Sequence, residues 1–215
     1  MRGLLFLTVA FAALPQPTLA DEFYCQHPAI AYLSVSASSG QLSEVADDVP
    51  RTLAGMPFNQ VRLWIAEWNA PWQEPTAVRV QIYNANCPPE LVPPVSYLVP
   101  WANVVKTLYT SNPPFPGVVY EAVIPLPEAV AVGLHTSIGV QVMNSWGTDM
   151  PYLGVLMSDE VFGCFFWADL PLGGYPRWSH MPFDYDLAYC LGMATTSVPE
   201  AVEPATWGSI KAAFH

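Results

Sequence analysis

Apolar and polar residues alternate along several stretches of this chain. Val61, Leu63 and Ile65 alternate with Arg62, Trp64 and Ala66, and Val78, Val80 and Ile82 alternate with Arg79 and Gln81. A period of two puts successive side chains on opposite faces of a strand, so the spacing predicts strands over 61–68 and 78–83. Residues 118–124 and 136–143 read the same way, the first closed by Pro125 and Pro127. Weaker strand candidates lie at 29–37, 97–109, 152–157, 162–168 and 185–191. Pro, Gly, Asn or Asp bound them, and these residues supply turns. No stretch of 21–193 sustains the period of a helix. About eight short strands of this kind predict an all-β fold, an antiparallel β-sandwich that is jelly-roll-like. Parallel pairing would need helical crossovers, and the pattern offers none.

The ends of the chain depart from this pattern. Residues 1–20 carry Arg2, an apolar run from Leu4 to Leu14, the helix breakers Pro15 and Pro17, and Thr18-Leu19-Ala20. This is the layout of a secretory signal peptide cut after small residues. The run is too short to cross about 30 Å of hydrocarbon. No later segment is long and apolar enough for a transmembrane span in the mature chain. Residues 21–193 form the expected sandwich domain. Residues 194–205 (ATTSVPEAVEPA) are small and Pro-rich, like a linker. In the tail, 206–215, Trp207, Ile210 and Phe214 fall on one face of a short helix. Ten residues do not hold a helix alone, so the tail is expected to dock or to be recognised.

Composition narrows the function. Hydrophobic residues make up 52% of the chain and charged ones only 12%, against about 25% charged in an ordinary globular domain. There are 23 Pro, which argue against long helices. Eight Trp, ten Tyr and ten Phe argue against disorder. Lys and Arg number seven; without Arg2, six remain against eighteen Asp and Glu. Nucleic-acid binding needs a basic stripe to displace phosphate counterions, so that class is excluded. Anionic membrane surfaces are poor partners for the same reason. Four cysteines, Cys25, Cys87, Cys164 and Cys190, suggest two disulfides in an exported protein. Three pairings are open, and no Cys/His spacing fits a zinc knuckle.

The stretch from about 60 to 191 resembles jelly-roll-like β-sandwich domains of secreted bacterial surface proteins. The likeness rests on VRLWIAEW, VRVQIYNAN, VYEAVIPLPEAVAV and Tyr185-Asp186-Leu187-Ala188-Tyr189-Cys190-Leu191. It implies the sandwich fold and a surface location. The ending is similar to short C-terminal sorting tails of exported bacterial proteins, through Trp207, Gly208, Ile210, Lys211 and Phe214. That resemblance implies contact with export or sorting machinery.

Three functions follow as expectations. The first is a non-catalytic, secreted or cell-surface module with a structural or adhesive role. The second is carbohydrate binding, with Trp64, Trp68 and Trp72 exposed as a stacking platform for a glycan or envelope component; the competing expectation is that these rings fill the core. Asp184 and Asp186, two apart, could contribute to a structural calcium site. They read otherwise as a solvated strand end, as do Asp47-Asp48 and Asp159-Glu160. The third is a hydrolase with an unrecognised site. No Gly-x-Ser-x-Gly elbow, His-Glu-x-x-His pair or Gly-rich phosphate loop occurs in the sequence, so no catalytic role is expected.

Overall fold

The structure, a computed structural model, describes residues 21–29, 34–36, 43–67, 74–84, 94–110, 118–143, 153–161, 163, 167–169, 179–180 and 185–194. The expected signal peptide, the linker after Ala194 and the tail, with Trp68, Trp72, Asp184, Cys87, Cys164, Trp207, Gly208, Ile210, Lys211 and Phe214, lie outside these residues. Ala20–Ala194 make one compact unit.

Among the described residues, fourteen strands run in chain order. They are β1 (Asp21–Gln26), β2 (Ser34–Ser36), β3 (Glu44–Asp48), β4 (Pro57–Glu67), β5 (Ala77–Tyr83), β6 (Val95–Pro100) and β7 (Val105–Thr110). Next come β8 (Val119–Ala131), β9 (Ser137–Met143), β10 (Leu153–Ser158), β11 (Trp167–Asp169), β12 (Ser179–His180), β13 (Asp186–Leu187) and β14 (Tyr189–Met193). Short 3-10 turns occupy Arg51–Leu53 and Trp101–Asn103.

Every described pairing is antiparallel. The first sheet runs β1-β14-β4-β10-β13, with β8 on β4, β7 on β8 and β2 on β10. The second runs β12-β11-β3-β9-β5-β6. The fold is therefore an all-β antiparallel sandwich. Val61, Leu63 and Ile65 of β4 and Val78, Val80 and Ile82 of β5 meet in one core, joined by Val140 and Val142 of β9 and Leu191 of β14. That burial is the main driving force for joining the two sheets.

Two departures from the sequence pattern have physical causes. Strand β8 does not stop at its prolines. Gln60 pairs with Pro125 while Phe58 pairs with Val130, so the intervening residues bulge from the ladder. Pro127 is exposed there, where no ladder N–H is required of it. The candidate strand 97–109 is two strands. Pro100 ends β6 in the second sheet, and β7 begins in the first after Trp101–Asn103. Trp101 is buried at this corner, its N–H donates to the Thr76 carbonyl, and Lys106 Nζ lies 4.9 Å from its ring centroid.

Candidate functional site

Strand β3 has the sequence EVADD, and its alternation sets the site. Val45 pairs with Val140 and Asp47 with Ile138, so Asp47 takes an inward position next in line to Val45. It is 1% exposed. Asp48 is buried as well, and Asp186 is 0% exposed. The reading of Asp47-Asp48 and Asp186 as solvated strand ends is therefore corrected.

The acids gather where β3 of one sheet meets β1, β13 and β14 of the other. One Asp47 oxygen accepts the Leu187 N–H at 2.9 Å, and the other accepts the Asp48 N–H at 2.9 Å. The Tyr189 hydroxyl donates to the Asp48 carbonyl at 2.9 Å. Gln26 Nε2 donates to Asp186 Oδ2 at 3.2 Å and to the Glu160 carbonyl at 3.0 Å. The Tyr24 and Tyr189 rings pack with centroids 5.5 Å apart. Burial, and after it the charge of Asp186, push the Asp47 carboxyl well above the usual carboxylate range; the two backbone N–H groups oppose this. Burial, and then the Asp47 charge, push the Tyr189 phenol up, and burial raises Tyr24. Gly163 has φ 79°, and a Cβ there would collide with the Asp48 carboxylate.

A second polar group covers the outer face of the second sheet. Glu44 accepts from Gln81 Nε2 and from the Tyr83 hydroxyl, the latter at 2.8 Å. Arg79 Nη1 donates to Gln141 Oε1 at 2.9 Å, and Gln141 Nε2 donates to the Ser43 carbonyl at 3.1 Å. Glu44, Arg79 and Gln81 keep partial contact with solvent.

The outer face of the first sheet is apolar at its centre. Trp64 lies opposite Val61, Leu63 and Ile65, as the alternation predicts, yet it is only 2% exposed. It packs with Ala66, Val119, Leu156, Ala188 and Cys190. His27 and Tyr109 stand edge-on to it, at 6.1 and 6.2 Å between centroids. Its face is closed to a sugar ring, which removes Trp64 from the expected platform. Cys25 and Cys190 form a disulfide that ties β1 to β14 in register. Glu22 lies beside these two sulfurs, but oxidised cysteines offer no thiolate to a metal. Arg62 pairs with Glu22 at 2.6 Å and with Glu121 at 3.0 Å. These pairs are partly exposed and add about 0–1 kcal/mol each.

The sequence reading named Asp186, Cys25 and Cys190, took Asp47 and Asp48 for solvated residues, and gave Tyr24, Tyr189 and Gln26 no place in a site. The available signal was the parity of EVADD, which sets Asp47 on the face of Val45. Among the described residues, no helix is long and apolar enough to cross a membrane. Comparison with protein-family models, with curated proteins and with solved structures returns no match to this chain.

Proposed function

We propose that this chain is a non-catalytic, secreted or cell-surface β-sandwich module with a structural or adhesive role. The observation that carries the reading is the exposed apolar side chains on two edge strands, β6 and β7. Among the described residues, β6 pairs only with β5, and β7 only with β8. Strand β6 reads VSYLVP and has no charge. Val95 is 56% and Leu98 59% exposed, and on β7 Leu108 and Tyr109 are exposed. Soluble proteins usually guard such edges with charge, and exposed apolar groups of this kind mark contact surfaces. The dry carboxylates Asp47 and Asp186 would suit acid–base chemistry in a cleft, but here they are closed in where the sheets meet. The Cys25–Cys190 disulfide is compatible with an oxidising compartment, and β1 begins at Asp21, next to the expected cut.

The test is fractionation of producing cells. The expected chain starts at Asp21 by mass and is found on the envelope or in the medium. Leu98→Lys lowers the share held on the envelope. Uncut chain inside the cell, or equal retention of the variant, argues against the reading.

Carbohydrate binding is the second reading, supported now by the row of Glu44, Arg79, Gln81 and Gln141 rather than by Trp64. Amide, guanidinium and carboxylate groups at sheet spacing suit sugar hydroxyls. A glycan array probed with the oxidised domain tests it, and binding is expected to vanish in Arg79→Ala.

A further inference from the structure

We propose that reduction of the Cys25–Cys190 disulfide uncovers a zinc site built from both thiolates and the Glu22 carboxylate, so that a metal ion takes over from the S–S bond as the tie between β1 and β14. Cys25 and Cys190 face each other across the two strands, with Cα atoms 4.0 Å apart. A Glu22 carboxylate oxygen and the two sulfurs all lie within 4.8 Å of one another. Glu22 Oε2 is 3.3 Å from Cys25 Sγ. A disulfide sulfur has no proton to give that oxygen, whereas a cation set between oxygen and thiolates is bound by all of them.

The surroundings fit such an ion. Arg62, opposite Cys190 on β4, holds Glu22 Oε1 at 2.6 Å and so turns Oε2 towards Cys25. Groups that orient a ligand in this way strengthen metal binding. Two thiolates and one carboxylate on a dication leave a single net negative charge, and the Arg62 guanidinium stands beside it. Cys190 is 1% exposed and packs with Trp64, Val119 and Leu156, an apolar backing that keeps water from the inner side. Cys25 and Glu22 keep contact with solvent, which gives the ion its way in. Sulfur ligands select zinc over magnesium or calcium, and three protein ligands leave the fourth tetrahedral position to water. Two zinc-bound sulfurs stand about 3.8 Å apart, for Zn–S bonds of about 2.3 Å. Directly opposed strand residues, with Cβ atoms about 4.5–5.5 Å apart, reach this by side-chain rotation.

A dithiol reductant opens the site. It gives two electrons and two protons to the S–S bond, which breaks into two thiols, and it leaves as its own disulfide. Zinc then displaces both thiol protons and forms two Zn–S bonds. A disulfide oxidant reverses the exchange: it takes up the two electrons, the S–S bond re-forms and the ion is released. The tie between β1 and β14 thus persists in both redox states, as sulfur–sulfur or as metal, while zinc is held in one of them only.

The experiment is zinc titration of the full chain, oxidised and phosphine-reduced without oxygen, against a chromophoric chelator. Cys87→Ser with Cys164→Ser removes the other thiols, and this chain is expected to bind zinc when reduced and not when oxidised. Cys25→Ser with Cys190→Ser abolishes the site. Glu22→Gln, in the Cys87→Ser/Cys164→Ser background, weakens binding about tenfold or more. Hydrogen exchange follows the fold: zinc is expected to raise the protection of the β1 amides in the reduced chain while β4 stays protected. Equal binding by the oxidised chain, no uptake by the reduced Cys87→Ser/Cys164→Ser chain, unchanged affinity in Glu22→Gln, or β1 exchange that zinc leaves unaltered overturns the proposal. So does zinc held by a reduced chain whose β4 amides exchange freely, since the thiols would then be ligands of an unfolded chain.

Discussion

Trp64 is held by residues small enough to leave it room. Ala66, Val119, Ala188 and Cys190 form a low bed on the outer face of the first sheet, and Leu156, His27 and Tyr109 close the sides. Trp64→Ala empties that space, and the expected loss is about 3–5 kcal/mol in urea unfolding, as for other buried large-to-small changes. A loss below about 1 kcal/mol would mean that the ring stands in solvent after all. Gly163 and Gly55 make a controlled pair. Both have positive φ, 79° and 88°, but a Cβ at Gly55 meets nothing within 4 Å while one at Gly163 strikes Asp48. Gly55→Ala is expected to lose about 1 kcal/mol from backbone strain. Gly163→Ala is expected to lose more, and the excess measures how firmly the Asp48 carboxylate is held.

At the level of elements, the disulfide governs the edge strand β1. It closes a separation of 165 residues, and the chain-entropy relation gives about 5 kcal/mol for a loop of that size. Cys25→Ser with Cys190→Ser is therefore expected to lower stability by up to about that amount. The β1 amides should lose hydrogen-exchange protection first. Equal protection of β1 and β4 would show that pairing with β14 holds the strand unaided. If the exported chain oxidises fully, a non-reducing peptide map is expected to join Cys87 to Cys164. The strands that were legible in the sequence, β4, β5 and β9, carry their apolar residues at strict alternation because each has core on one face. Strand β8 was legible only to Pro125, because a bulge shelters its prolines and no local pattern announces one. Strand β3 was hidden for a different reason. Its two aspartates look solvated until a backbone N–H 140 residues away arrives to meet one of them. Trp64 follows the expectation that its ring is buried rather than the platform one, but it does so on the outer face of the first sheet, where small residues around it leave room.

For the whole molecule, charge and apolar edges oppose each other. Seven basic groups against eighteen acidic ones give a formal net charge of -11 near neutral pH, and the sequence pI is about 4.5. Like charge keeps copies apart, while Val95, Leu98, Leu108 and Tyr109 favour contact with any apolar surface. As pH falls towards the pI the repulsion fades and the apolar term stays, so contact is expected to strengthen between pH 7 and pH 5. Salt offers an independent check, because about 0.5 M at pH 7 shortens the screening length to a few ångströms and should act in the same direction as acid. Sedimentation of wild-type domain under the three conditions measures this, with Leu98→Lys as the comparison. If β6 is the surface, the variant stays dispersed at pH 5 and in salt while the wild type associates. If both associate alike, the contact lies elsewhere and β6 loses its adhesive role.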